Sequence, residues 1–387
     1  MAELVGNLLV AQSGGPTAVI NASVAGVIQE AGRYPDQIQE IYGGLSGILG
    51  ILNEDLIDLQ EEKRQAIEGL KHTPAAALGT SRYKIDFKKK PEHAARDMDR
   101  LFQVFQAHNV RYFFYAGGND SQDTAHKIHE QAIKLGFEMR VIGVPKTIDN
   151  DLPHTDHCPG YGSVVKYNAT TVMEIAADVG SMATDGGSCC IIEVMGRAAG
   201  WIAAGTVLAK RRPAEAPHII LIPEVPFEQE KFLARVREIV AALKCCIVVV
   251  GEGLKNAAGE EIAADKTKLD AFGHPVLSGA AERLADIVEE NLRLKTRTVK
   301  LGYAPRGSRS RDQVRVARAR ARRQFLFQAN LFQHDEFRQP ARYRQAQLPF
   351  NQRMRVFDEF FVRQKSVVAD PVARDQVLDV RDVAQRL

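Results

Sequence analysis

The sequence predicts an α/β fold with largely parallel sheets, arranged as two lobes. Three observations carry that reading. Short apolar runs of buried-strand length recur along the chain, and helical-period segments lie between most of them. The chain has 387 residues, enough for two such lobes. No apolar run approaches the ~18 residues that a membrane span needs.

The apolar runs occupy residues 7–11, 111–116, 139–144, 189–194, 218–222 and 246–250. Between the second and third, Ala125, Ile128, Ala132 and Ile133 set out one helical stripe, and Gly136 stands where a C-cap glycine belongs. Hydrophobic residues make up 45% and charged residues 26%, the balance of an ordinary globular chain. Five cysteines include two adjacent pairs, Cys189-Cys190 and Cys245-Cys246, a spacing that suits neither a disulfide framework nor a zinc site. The apolar stretch near the start is too short and too acidic for a secretory signal. A cytoplasmic, reducing location is the expectation.

Charge divides the chain. Residues 1–300 carry 33 Lys and Arg against 39 Asp and Glu, a balance of −6. Residues 301–387 carry 18 against 9, a balance of +9, and 17 of those 18 basic residues are Arg. Only two glycines, Gly302 and Gly307, fall in that stretch, so composition breaks near residue 305. The tail has two readings, an out-of-frame stretch of a GC-rich gene or a basic arm for nucleic acid. Sparse aromatics make nucleic acid the weaker reading, and no nucleic-acid or membrane partner is expected.

The strand ends share a character. Gln12-Ser13-Gly14-Gly15-Pro16-Thr17 follows the first, Gly117-Gly118-Asn119-Asp120-Ser121 the second and Pro145-Lys146-Thr147-Ile148-Asp149-Asn150-Asp151 the third. Met195-Gly196-Arg197 follows the fourth and Gly251-Glu252-Gly253 the last. Open α/β sheets bind ligands beyond the carboxyl ends of their strands. One such loop would be a turn, but five together point to a site.

The residue types in these loops suit phosphate chemistry. Gly14 and Gly15 before a helical segment let backbone N–H groups approach an anion at a helix N-terminus. Neither a GxxxxGK[ST] nor a GxGxxG motif is present. Leu78-Gly79-Thr80-Ser81-Arg82-Tyr83-Lys84 offers Arg82 and Lys84 as further phosphate donors, though alone it reads equally as a solvated basic loop. Asp149 and Asp151, two apart in an extended loop, would point the same way. Such a pair could supply a base for an acceptor hydroxyl and a second negative group for a metal-bound phosphate. An Asx-rich turn is the plainer alternative for the same residues.

With SGGPTAVIN, LGTSRYK, AGGND, PKTIDND, EVMGR, GEG and TRTVKLGYAPR in that order over residues 7–306, the chain resembles the phosphofructokinase family. The resemblance implies two Rossmann-like lobes of phosphofructokinase type. It also implies phosphoryl transfer to the 1-hydroxyl of fructose 6-phosphate, with Mg²⁺. Residues 1–150 would form the donor lobe and 151–305 the sugar-phosphate lobe. Residues 306–387 would be an atypical Arg-rich segment, part of which could return to the first lobe.

By the same resemblance Asp149 is the proton acceptor and Asp151 a second carboxylate near the metal. Thr147 and Ile148 lie in the sugar-phosphate loop. Met195, Gly196, Arg197 and Glu252 contact the sugar, and Tyr303 and Arg306 close on its 6-phosphate. Arg297 reaches a neighbouring subunit's substrate, which implies a homodimer or homotetramer. Gly15 lies over the donor phosphates, with Arg82 and Lys84 as their basic grips.

Asp120 and Lys146 stand where ATP-using relatives have glycine, and resemble the pyrophosphate-type pair. A carboxylate at 120 would meet the α-phosphate of ATP. At ~4 Å and an effective dielectric of ~20 that repulsion is ~4 kcal/mol, on the order of a thousandfold in binding. Lys146 would stabilise the leaving phosphate. The plainer reading makes Asp120 a helix cap and Lys146 a surface lysine.

Three departures from the family pattern stand out. Asn119 replaces a carboxylate expected to hold Mg²⁺, and an amide is a weaker ligand for a hard cation. Ser188 stands where many relatives have an arginine. After Tyr303 the residues cease to resemble the family. Two rival readings follow: an ATP-dependent member of the family, and a catalytically impaired sugar-phosphate-binding homologue.

Overall fold

The computed structural model describes residues 4–152, 155, 157–183, 186–269, 275–277 and 279–307. The Arg-rich segment from 308 onward, with the readings attached to it, lies outside the described residues.

The first sheet holds β1 (Gly6–Gln12), β2 (Ile38–Gly44), β3 (Leu56–Asp58), β4 (Val110–Gly117) and β5 (Arg140–Pro145). Its spatial order is β3-β2-β1-β4-β5, parallel except where β3 runs antiparallel to β2. The chain therefore winds outward from β1 one way and then the other, with the switch between β1 and β4. A crevice opens at such a point beyond the strand carboxyl ends.

Five helices cover this sheet: α1 (Ala18–Ala31), α2 (Ile48–Asn53), α3 (Arg64–Leu70), α4 (Pro91–Ala107) and α5 (Asn119–Leu135). Alternation along β1 divides the core. Leu8 and Val10 pack with Ile20, Val24 and Ile28 of α1, while Leu9 and Ala11 pack with Leu101 and Phe105 of α4 and Ile128 of α5. Strands buried on both faces read as continuous apolar runs, which is why β1 and β4 were legible.

The second sheet holds β6 (Ser188–Val194), β7 (Ile219–Leu221), β8 (Cys245–Gly251) and β11 (Lys295–Lys300), parallel in the order β11-β6-β8-β7. A separate antiparallel pair, β9 (Ala264–Leu269) and β10 (Pro275–Leu277), precedes β11. Helices α6 (Tyr161–Ser181) and α7 (Trp201–Gly205) pack on one face. Helices α8 (Gln229–Leu243) and α9 (Ala280–Leu292) pack on the other. A single turn, α10 (Ala304–Gly307), follows β11. No described helix is long and apolar enough to cross a membrane.

All six expected strands are present, within two residues at each end. Gly136 caps α5 in the left-handed conformation, as expected. The α5 stripe needs one correction. Ala125, Ile128 and Ala132 are buried, but Ile133 is 68% exposed. One residue is about 100° of helix rotation, and that step carries position 133 off the narrow buried face.

Two glycines give opposite expectations. A Cβ on Gly117, where β4 turns into α5, would lie 2.1 Å from Ser121 Oγ and 2.5 Å from Ser121 Cβ. Gly117→Ala should therefore destabilise by about 1–3 kcal/mol. Gly69, inside α3, has nothing within 4 Å of such a Cβ. Gly69→Ala should stabilise by about 0.4–1 kcal/mol. Urea midpoints of the two variants, read beside the parent chain, check both signs.

Candidate active site

The ends of β1, β4 and β5 converge on one cavity of about 250 Å³. It lies below the ~300–1,000 Å³ of pockets that enclose drug-sized ligands. The backbone ladder runs past the strand ends to build it: Ser13 N–H donates to Ala116 O at 2.8 Å, and Lys146 N–H to Gly117 O at 3.0 Å.

The loop after β5 carries most of the chemistry. Asn150 takes a positive φ of 56°, a conformation asparagine tolerates better than most residues. Its Oδ1 accepts from Cys158 N–H at 2.7 Å, and Asp149 N–H donates to Thr147 Oγ1 at 3.1 Å. That turn sends both Asp149 and Asp151 to the cavity wall. Burial, then the neighbouring charges of Asp151 and Glu252, push the Asp149 carboxyl up to about 6.

Lys146 is a buried lysine, not the surface residue of the plainer reading. Its Nζ donates to Gly15 O at 2.9 Å. Burial, with Arg306 and Arg82 nearby, lowers its ammonium to about 8, while Asp149 and Asp151 oppose the shift. A Cβ on Gly15 would lie 2.8 Å from the Arg306 guanidinium, so a larger residue there would displace the end of that side chain.

Asp120 lines the cavity from the first turn of α5. The N-cap is Gly118, so Asp120 is the second residue of the helix, and its Oδ1 accepts from Lys84 Nζ at 2.7 Å. With both partners well exposed, the pair is worth little in stability. It does offset the Asp120 charge, so the bare ~4 kcal/mol repulsion of a nucleotide is an upper figure. Asn119 Nδ2 donates to Asp151 Oδ2 at 2.6 Å.

Four side-chain atoms on this wall are buried without a hydrogen-bond partner: Thr17 Oγ1, Ser81 Oγ, Asp149 Oδ1 and Asp151 Oδ1. Buried polar groups are normally paired, and an unpaired set gathered in one cavity calls for a ligand. Two hydroxyls can donate to phosphate oxygens, and two carboxylate oxygens can take a proton or a cation. Thr17 and Ser81 were not singled out from the sequence, although both sit inside motifs quoted above. The signal was there: a hydroxyl beside a glycine turn and beside Arg82.

The structure gathers Gly15, Arg82, Asn119, Asp120, Lys146, Thr147, Ile148, Asp149, Asp151 and Arg306 at this cavity. Others stand outside its wall. Lys84 reaches it through Asp120. Glu252 lies close enough to act on Asp149 and accepts from Gly196 N–H at 3.3 Å. Burial raises its carboxyl. Arg197 pairs with Glu261 at 3.3 Å. Tyr303 is 71% exposed, with the Arg306 guanidinium 5.1 Å from its ring centre. Arg297 is exposed on edge strand β11, and Ser188 begins β6, at the end of the sheet away from the strand carboxyl ends.

Among the described residues no three His, Cys, Asp or Glu side chains form a metal cage. The orphaned Asp151 Oδ1 fits a Mg²⁺ that arrives with phosphate ligands of its own, and Asn119 stands beside that carboxylate through its Nδ2.

The raised Asp149 carboxyl has a sign that stability can read. Folding favours its protonated form, so its contribution is full below about 4 and lost as pH rises through about 6. Asp149→Asn should raise stability by roughly 1–2 kcal/mol at pH 5 and by roughly 3 kcal/mol at pH 8. Denaturant midpoints at the two pH values test this, and equal shifts at both would contradict it.

The Phosphofructokinase family model matches residues 7–323, past the break in composition. The Pyrophosphate--fructose 6-phosphate 1-phosphotransferase of Halomonas elongata is 45% identical over 303 residues, 78% of this chain and 71% of that protein. The protein of the same name from Methylococcus capsulatus is 46% identical over 316 residues, 81% of this chain and 74% of its own length. The crystal structure of a pyrophosphate-dependent phosphofructokinase from Marinobacter aquaeolei superimposes with a TM-score of 0.73 at 43% identity, covering 84% of this chain and 76% of that one. With its two parallel sheets and phosphate-suited cleft, this chain belongs to the phosphofructokinase family.

Proposed function

We propose that the chain transfers a phosphoryl group from pyrophosphate to the 1-hydroxyl of fructose 6-phosphate. The products are fructose 1,6-bisphosphate and phosphate, and the reaction is reversible and serves glycolysis and gluconeogenesis. The observation that carries this reading is the cavity itself. Three cations, Arg82, Lys146 and Arg306, share about 250 Å³ with a carboxylate held near neutrality. That space suits two linked phosphates and one reacting hydroxyl better than a nucleotide.

Asp149 Oδ1, buried and unpaired, accepts the proton of the sugar 1-hydroxyl. A base whose pKa lies near the working pH transfers protons most effectively. The sugar oxygen forms a bond to one phosphorus as the bridging P–O bond breaks, and the departing phosphate keeps that electron pair. Lys146 and Arg82 stabilise the departing charge, fixed in advance in a desolvated wall. Thr17 and Ser81 hydroxyls orient the phosphate oxygens. Mg²⁺, carried in with pyrophosphate, would neutralise phosphate charge, held by Asp151 and Asn119.

On the sugar side Thr147, Ile148, Met195, Gly196, Arg197, Glu252, Tyr303 and Arg306 form the fructose 6-phosphate site. Glu252, tied to the Gly196 N–H, accepts from a sugar hydroxyl. The exposure of Arg297 on an edge strand suits a homo-oligomer in which it reaches a neighbour's substrate. Cys158, Cys189, Cys190, Cys245 and Cys246 form no disulfide, which suits the cytoplasm.

Side-by-side turnover with pyrophosphate and ATP tests the donor. Fructose 1,6-bisphosphate should form with pyrophosphate and at most marginally with ATP; the reverse preference would overturn the reading. Asp149→Ala should lower turnover by about 10²–10⁴-fold with sugar-phosphate affinity largely kept. Near-normal turnover would remove Asp149 from the role of base.

A further inference from the structure

We infer that Lys84 is a positioning residue that acts through Asp120, making the cleft tolerant of pyrophosphate without itself being a phosphate ligand. The inference rests on the pyrophosphate reading above. Three observations carry it. The Lys84 ammonium lies 2.7 Å from Asp120 Oδ1, and Asp120 lines the cavity whereas Lys84 does not. The Asp120 main chain is fixed by its place in α5 and by Thr124 Oγ1, which donates to Asp120 O at 2.8 Å. Its carboxylate is oriented by the hydrogen bond from Lys84.

The third observation is the charge balance. Arg82, Lys146 and Arg306 line the cavity with three positive charges, and Asp120, Asp149 and Asp151 line it with three negative ones, a sum of zero. A neutral wall has little long-range attraction for pyrophosphate, a polyanion. Lys84, bonded to Asp120 from outside, offsets that carboxylate and leaves the three cations of the wall facing two carboxylates. The Lys84 ammonium is raised above its ordinary range chiefly by its hydrogen bond to Asp120, with the charges of Asp86 and Asp123 helping less, so it stays charged wherever the enzyme works. Without Lys84, Asp120 would face the donor bare and repel pyrophosphate as well as a nucleotide. A carboxylate at this position therefore requires its lysine.

The two roles open to Lys84 separate in a double-mutant cycle. Pyrophosphate binding to the full chain is measured by calorimetry with Mg²⁺ and no sugar phosphate, for the parent, Lys84→Met, Asp120→Asn and the double variant. Both side chains are exposed enough to be replaced without disturbing the core, and a thermal midpoint for each variant checks this. Lys84→Met should weaken binding about tenfold or more, and Asp120→Asn no more than about threefold. The double variant should return to within about threefold of Asp120→Asn alone. A double variant as weak as Lys84→Met would make Lys84 a direct phosphate ligand and overturn the inference. So would a Lys84→Met variant that binds like the parent. No binding or turnover of pyrophosphate by the parent chain would overturn the underlying reading, a result distinct from either.

Discussion

A buried ammonium ties the cleft together. Lys146 leaves the end of β5, passes across the end of β4 and donates to the Gly15 carbonyl beyond β1. Burying a lysine is unfavourable on its own account, and its ammonium falls to about 8. The arrangement holds because Asp149 and Asp151 stand on the same wall. Glycine serves the same wall: Gly14 takes a positive φ of 78°, which other residues rarely adopt, and a Cβ on Gly15 would push the Arg306 guanidinium aside.

The same wall is poor for stability. Four buried polar atoms go unpaired there, and Asp149 is held in an environment that disfavours its charged form. Two lobes with cores packed on both faces of each sheet carry that strain. Preorganised sites commonly trade local stability for function in this way. What the wall lacks in internal partners, two linked phosphates and an acceptor hydroxyl can supply.

The sequence was most informative where geometry leaves least choice. Strands buried on both faces must be continuous apolar runs, so β1, β4 and β8 were plain, and their glycine-rich ends marked the site. Strands β2 and β11 were not seen. Both lie at or beside a sheet edge and mix charged with apolar residues, as Ile38–Gly44 and Lys295–Lys300 show. Contacts between distant loops were equally hidden. Nothing in LGTSRYK or AGGND says that Lys84 meets Asp120, nor does GYAPR say that Arg306 packs on Gly15. Such pairings depend on which strands become neighbours, and spacing along the chain does not encode that.

The central claim is that this cleft holds a linked pair of phosphates beside the sugar hydroxyl, so that inorganic phosphate alone can accept the group in reverse. Radiolabelled phosphate given with fructose 1,6-bisphosphate tests it most directly. The account predicts label in pyrophosphate, formed in step with fructose 6-phosphate and with no nucleotide present. Fructose 6-phosphate released while all label stays in monophosphate, or release that requires ADP, would contradict it.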